Sequence, residues 1–427
     1  MSVVAEAGRV LDLEATAPLP PIPAPQWSGP GGARAWMLVR VDRDPVGALM
    51  VDLPVDGLPA AAVEELVDAA LGEQIRRASA SADQVARQRE EAIAAGPEIT
   101  VVVCTLDRPA ALARCLDSIL AQSYGRFRVL VVDNAPERTA TAEVVRLVGR
   151  PDLVERIVAP VSGLSRARNV AVAATRGETI AWIDDDEVAD PLWLCGIARA
   201  LLAHPDAGIV SGPVAPAELQ TPAQVWFEQF GGHSKGRGFT PAVFSPDTAT
   251  TQSPLYPLPP FGAGANLATC PGVIESIGGF DTALGAGTRS MGGEDTLALT
   301  RVLLDGGTIV YQPSALVWHY HRRDLAGLRR QLYGYGSGLT AAYTALLLRH
   351  PGVLPGLVRL APTALRDLAG GSASARTATI GPDFPRALLA ANMRGMVHGP
   401  VSYLAERRRG HRAPDARRRT RGTDQLA

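Results

Sequence analysis

Lysine is almost absent from this chain. Lys235 is the only one in 427 residues, and arginine carries nearly all the positive charge. The formal net charge of −1 leaves no basic surplus for non-specific nucleic-acid binding, so nucleic acid is not an expected partner. The missing lysines read as coding bias from a GC-rich genome, not as chemistry. Cysteine is scarce too: Cys104, Cys115, Cys195 and Cys270 show no C-x-x-C pair and no metal-ligand spacing. Free, mostly buried thiols in a reducing compartment are expected. No basic stretch followed by an apolar run opens the chain, and no window reaches roughly 18 uninterrupted apolar residues. The nearest, "LTAAYTALLL" (Leu339 to Leu348), stops at Arg349 and His350. These absences predict a cytoplasmic protein. Contact of the apolar C-terminal segments and arginine tail with an anionic lipid surface at the inner membrane face stays open. The first strand-to-helix turn, "CTLDRP", has no G-x-G-x-x-G, which disfavours a nicotinamide enzyme, and no P-loop.

What is present is an ordinary globular composition, 46% hydrophobic and 20% charged, with chain enough for a large core. Residues 1 to about 35 are rich in Pro, Ala and Gly and read as a loose arm. "AWMLVRVDRDPVGALMVDLP" alternates like a small β-ribbon, and Ala60 to about Ala95 turns helical and charged. We read 1–96 as an accessory module, 97–345 as the chemical domain, and 346–427 as a helical extension ending in the arginine-rich "ERRRGHRAPDARRRTRG", read as a disordered tail.

Order tightens at Glu98. "ITVVVCT", "FRVLVVDNA", "VERIVAP" and "ETIAWI" read as buried strands alternating with helices. Gly177 is the expected C-cap of the third of those helices. This rhythm gives right-handed βαβ units, with ligands at the carboxyl ends of the strands. Asp133 and the "DDDE" cluster of Asp184 to Glu187 both sit at such ends. From Pro213 to Pro260 the chain reads as a long functional loop or lid.

Asp184 and Asp186, two apart at a strand end, can point the same way and share a divalent cation; the alternative is a solvated acidic turn. Asp133 can accept from a ribose hydroxyl or a base N–H, or serve as a turn aspartate. Glu294 and Asp295 start a helix after two glycines, where acids suit the helix dipole, or where one could act as a base in a cleft. His319 is a lone strand histidine or a further metal ligand. Trp226, Phe227 and Trp318 could stack on a sugar or simply pack.

In order along the chain, "VVVCTLDRPAALARCLDSILAQSY", "VLVVDN", "GLSRARNVAVAATRGETIAWIDDDE", "GAGANLA", "GGFDTAL" and "GGEDTLALTRVLLDGG" resemble the family 2 glycosyltransferases. The resemblance runs from about Ile99 to Gly338. It implies an α/β fold of the GT-A type, a Rossmann-like mixed sheet flanked by helices, with the accessory module and C-terminal extension outside it. It implies that Thr105 and Asp133 hold the nucleoside and that Arg168 and Asn169 lie near the diphosphate or donor sugar. Asp184 and Asp186 match the D-x-D element, with Asp186 as metal ligand and Asp185 facing ribose or sugar. Asp295 matches the general base, with Glu294 orienting a substrate, and His319 lies where some members supply a metal-binding histidine. The implied cofactor is Mn²⁺ or Mg²⁺. The implied partners are a nucleoside-diphosphate sugar, UDP-linked by preference, and a glycan, lipid-linked or small-molecule acceptor.

Three rival readings share features of this sequence. A haloacid-dehalogenase-like phosphatase wants Thr where Val188 stands, and a downstream lysine that the isolated Lys235 does not supply. A sugar-phosphate nucleotidyltransferase wants a Gly-rich, basic first loop. A catalytically silent nucleotide- or carbohydrate-binding protein on the same fold would not need Asp184, Asp186 and Asp295 intact.

Overall fold

In the computed structural model, the described residues are 8–25, 33–135, 137–234, 237–245, 261–368 and 384–412. Lys235, Pro136 and the tail beyond Arg412 lie outside them.

The alternating segment forms the expected ribbon. Strand β1 (Gly8–Glu14), the short β2 (Ile22–Pro23), β3 (Ala33–Val41), β4 (Asp44–Leu53) and the short β5 (Gly57–Leu58) open the chain. β3 and β4 turn at Asp42 and Arg43, whose φ angles of 47° and 71° match the twist of the flanking strands. The described part of the expected loose arm is not loose: β1 pairs parallel to β3, and β2 pairs with β5. Its Leu13, Leu19 and Ile22 are buried, which ties it to the ribbon. Ala35, Met37 and Val39 on one face of β3 pack on Val63, Val67 and Leu71 of helix α1 (Ala60–Ala80). The segment expected to be helical and charged is so in two pieces: α1 stops at Ser81, whose hydroxyl bonds back to Arg77 and Ala78, and α2 (Ala82–Ala95) follows.

Next come β6 (Ile99–Thr105), α3 (Pro109–Leu120), β7 (Phe127–Asp133), α4 (Ala140–Val148), β8 (Val154–Val158), α5 (Leu164–Ala174) and β9 (Thr179–Asp184). α5 ends at Thr175 rather than at Gly177, which lies two residues further on with φ +81°. Then follow β10 (Glu187–Ala189), α6 (Trp193–Ala203), β11 (Ala207–Ser211), β12 (Val214–Pro216), α7 (Pro222–Gln229) and β13 (Ala242–Phe244). β14 (Asn266–Thr269), α8 (Val273–Ser276), α9 (Glu294–Leu304), β15 (Thr308–Tyr311) and β16 (Val317–His319) complete the sheets.

The main sheet has eight strands in the order β13-β15-β11-β14-β9-β6-β7-β8. It is mixed, because β14 runs antiparallel to both β9 and β11 while β6, β7, β8 and β9 are parallel. Period-two alternation sends Val101, Val103, Val129 and Val131 to one face, against Leu112 and Leu116 of α3. Val102, Leu130, Val132 and Trp182 go to the other, against Ala167, Ala171 and Leu299. Sheet register sets Thr105 opposite Asp133 and Cys104 opposite Asp184, lining up three carboxyl-terminal strand ends. A second small sheet, β10-β16-β12, pairs Glu187 with His319.

The segment expected as one long loop carries β12, α7 and β13 in its described part. α7 is started by Thr221 and Gln224, which form a reciprocal capping box, with Pro222 at the first turn. Trp226 and Phe227 are buried against Leu328 and Leu332, so packing, not sugar stacking, accounts for them. Trp318 donates to Asp190 at 3.3 Å and meets Trp36 edge-on.

α10 (Leu325–Arg349) leads through a short 3₁₀ turn (Pro351–Val353) to α11 (Leu354–Leu368) and α12 (Arg386–Arg412). The expected boundary at 345/346 falls inside α10, where Ala345 and Leu346 share one cluster with Tyr403. α10 and α12 cross closely: a methyl at Gly336 would overlap the Asn392 carbonyl, and one at Gly395 the Tyr333 carbonyl. The start of the arginine-rich tail is therefore the end of a helix. Among the described residues no helix is long and apolar enough to cross a membrane. No disulfide forms among them, and the four cysteines are free.

Candidate active site

β9 delivers Asp184 to the sheet end, and a two-residue turn presents Asp185 and Asp186 before β10 begins at Glu187. Each carboxylate has an assigned partner. Thr105 donates to Asp185 at 2.7 Å, and one nitrogen of Arg108 reaches both Asp185 (3.0 Å) and Asp186 (2.9 Å). Arg322 approaches Asp186 at 3.5 Å, and Arg168 reaches Asp184 at 3.4 Å. Burial pushes the Asp184 carboxyl up to about 6 despite Arg168, with Asp186 and Asp185 adding to the rise. Glu187 is buried and pushed well above its ordinary range by desolvation and then by Asp184, while its Oε2 accepts the Asp184 amide at 3.1 Å. The cluster is thus tolerated by arginines on its open side and a suppressed charge behind it.

Across the cleft, Glu294 and Asp295 open α9. Asp295 Oδ2 accepts the Gly264 amide at 2.8 Å and Oδ1 the Thr296 amide at 2.7 Å. Glu294 accepts from Arg168 at 3.1 Å and is pushed up to about 7 by burial and then by Asp295. Arg168, only 3% exposed, also donates to the Gly264 carbonyl at 2.8 Å. One buried guanidinium therefore ties the acidic turn to the start of α9.

The pairing of β10 with β16 brings His319 beside the acidic turn, with Nε2 3.6 Å from Asp186 Oδ1. That is too long for a hydrogen bond. Burial above all, with the Arg322 and Arg108 guanidiniums adding to it, holds His319 neutral, its pKa well below the ordinary imidazole value. By residue type, two carboxylates and a neutral imidazole suit Mn²⁺ or a similar divalent ion, although Asp184, Asp186 and His319 do not gather three ligand atoms within 4.8 Å of one another here. Sequence reading missed His233, His321 and Glu228. His233, His319 and His321 can each bring one ring nitrogen within 4.8 Å of the others. The H-x-H spacing in "HYH", which in extended chain sends both rings to the same side, was the available signal, with His319 ending β16 and His321 two residues past it.

Two adjoining clefts meet here. One is walled by Thr105, Arg108, Asn134, Asp184, Asp185, Asp186, His319 and Arg322. The other is walled by Arg168, Asp184, Gly264, Glu294 and Asp295, and by Asn392 and Met396 of α12. Asp184, Leu164, His233, Ala286 and Tyr335 belong to both. Two expected residues line neither cleft. Asp133 is fully buried, with Arg156 at 2.7 Å and the Ala135 amide at 3.0 Å; its neighbour Asn134 forms the wall instead. Asn169 spends both ends of its amide on the Phe280 backbone, each at 2.8 Å. Asp133 and Asn169 are braces at the positions where ligand contacts were expected.

Residues 100–237 match the family model described as Glycosyl transferase family 2. The chain is 31% identical over 248 residues to the succinoglycan biosynthesis protein ExoM of Rhizobium meliloti, covering 56% of this chain and 72% of that protein. The chain belongs to glycosyl transferase family 2. This family 2 protein is also 24% identical over 230 residues to the glucosyl-dolichyl phosphate glucuronosyltransferase of Haloferax volcanii, covering 52% of this chain and 69% of that one. It spans 13% of the length of protein y4gI of Sinorhizobium fredii, at 33% identity. The mannosyltransferase PcManGT from Pyrobaculum calidifontis, solved with GDP-Man and Mn²⁺, overlays with a TM-score of 0.48 at 19% identity, covering 72% of this chain and 88% of that one. As a family 2 member the protein is a glycosyltransferase. The phosphatase, nucleotidyltransferase and silent-binder readings fall away.

Proposed function

We propose that the protein is a metal-dependent, inverting glycosyltransferase with Asp295 as general base. The carrying observation is that Asp184 is a wall of both clefts, and that Asp295 lines the second with it. The first cleft is the donor site: Thr105 and Asn134 border the nucleoside, and Asp185, fixed by Thr105 and Arg108, faces ribose or sugar. UDP is our preferred nucleotide. Asp184, Asp186 and His319 would hold a divalent cation, which when bound supplies charge neutralisation for the departing diphosphate. Arg108 and Arg322 stand beside the same acids to receive phosphate oxygens.

The second cleft takes the acceptor, a glycan, lipid-linked or small-molecule alcohol. Asp295, oriented by the Gly264 and Thr296 amides, accepts the hydroxyl proton as that oxygen bonds to the anomeric carbon. The bond from that carbon to the diphosphate oxygen breaks on the opposite face, so the centre inverts. Arg168 holds Glu294 and Asp184 at their posts, and Asn169 and Asp133 act through the backbone they brace. The test is release of nucleoside diphosphate from a panel of nucleotide sugars with Mn²⁺. We expect release from one donor class, lost with chelator and in Asp186→Ala; no release from any donor, or release indifferent to chelator, would contradict the proposal.

A further inference from the structure

We infer that Glu228 and His321 form a hydrogen-bond relay that sets the ring tautomer of His319, so that His319 presents a bare Nε2 lone pair toward Asp186. This rests on the reading of His319 as a metal ligand.

The chain of contacts is continuous. His321 Nε2 lies 2.8 Å from Glu228 Oε1, and His321 Nδ1 lies 2.7 Å from His319 Nδ1. A carboxylate only accepts, so His321 Nε2 is the donor; a metal on His319 Nε2 leaves the ring hydrogen on His319 Nδ1, and His321 Nδ1 is then its acceptor. His319 Nδ1–H therefore donates a hydrogen bond to His321 Nδ1. That leaves His319 Nε2 without a hydrogen, 3.6 Å from Asp186 Oδ1. Two acceptors face each other across a gap too wide for a hydrogen bond, which is the arrangement a cation between them relieves. The opposite assignment, with His321 charged and donating both ways, would put a hydrogen on His319 Nε2 and close that position to a metal.

The surroundings are built to hold this order. His321 is 3% exposed, and the edge of Phe227 packs on its ring at 4.7 Å. Glu228 sits on the last turn of α7, which is pinned by the Thr221–Gln224 capping box and by Phe227 packing on Leu328 and Leu332. Gly232, at φ +55°, passes so close that a methyl there would overlap Glu228 Oε1. Arg108 and Arg322 are the cations that face His319 from the other side. Glu228 and His321 are positioning residues, acting through His319 in the way that outer-shell carboxylates orient metal-binding histidines.

The test is Mn²⁺ alone titrated into the full chain and followed by electron paramagnetic resonance, with ¹⁵N-histidine labelling to detect ring-nitrogen coordination. Wild type should show a histidine ¹⁵N coupling that disappears in His319→Ala. Glu228→Leu, similar in size but with no acceptor, should bind Mn²⁺ about 10–100-fold more weakly. Glu228→Gln, whose amide oxygen still accepts, should fall between. Metal-free circular dichroism identifies any variant that has simply unfolded; His321→Gln provides a second break in the relay. Unchanged affinity and coupling in folded Glu228→Leu and His321→Gln overturn the relay while leaving His319 as ligand. Mn²⁺ binding by wild type with no histidine coupling overturns the ligand reading, and the relay with it.

Discussion

The Asp295 carboxylate accepts the backbone amide hydrogen of Gly264 at 2.8 Å, joining the start of α9 to the "GAGAN" loop ahead of β14. Residues 31 positions apart are thereby held in register, and the carboxylate is aimed before any acceptor arrives. Preorganisation of this kind is what a general base needs.

Asp295→Asn keeps the size and, through its single oxygen, one of the two backbone amide contacts, but cannot take a proton. Transfer should fall by about 10²–10⁴-fold with donor affinity retained. Initial rates paired with calorimetry of nucleoside-diphosphate binding check this; wild-type turnover removes Asp295 as base.

Arg168 lies buried between Asp184 and Glu294. Arg168→Ala leaves two acids without their shared cation and should cost about 3–5 kcal/mol of stability in denaturant melts. Arg150→Ala, which breaks an exposed pair with Asp152, should leave the midpoint unchanged. Equal midpoints for the two variants would contradict the account of Arg168.

The pH dependence follows from Glu294, raised by burial to about 7 from an ordinary 4.5. Between those values the folded chain keeps a proton that the unfolded chain has released. This group therefore makes stability fall as pH rises through that window, and contributes no slope outside it. Glu294→Gln should flatten the fall between about pH 5 and about pH 7 in metal-free melts. An identical pH slope in the variant would mean that Glu294 ionises normally.

Gly336→Ala pushes a methyl into the Asn392 carbonyl and should force α10 and α12 apart. Overpacking of this kind costs about 1–3 kcal/mol, and here it also moves the wall that Asn392 and Met396 contribute to the second cleft. Thermal melts and acceptor KM measured together should both worsen, with donor KM held.

The sheet was legible because its strands are near-continuous apolar runs ending in chemistry-bearing residues, as in "TIAWIDDDE". Thr105, Asp184, Asp185, Asp186, Glu294 and Asp295 could be located from those ends and from the glycines before α9. Asp133 and Asn169 show the limit: residue type and position were readable, but the direction of the side chain depends on Arg156 and on the Phe280 backbone, both distant in sequence. α7 was lost because its eight residues lie in a Pro/Gly-rich stretch, although Thr221, Pro222 and Gln224 carried its start signal. With it went Glu228, which meets His321 only through a separation of 93 residues. Pairing of β1 with β3 was equally hidden, because a proline-rich segment gives no periodic hint of the strand before it.

The most direct test of the central claim is a crystal structure of the full chain with Mn²⁺ and UDP. The account predicts the ion coordinated by Asp184, Asp186 and His319 and by diphosphate oxygens, in a cleft that adjoins the one lined by Asp295. Diphosphate bound elsewhere, or Asp184 and Asp186 turned away from a cleft shared with Asp295, would contradict it.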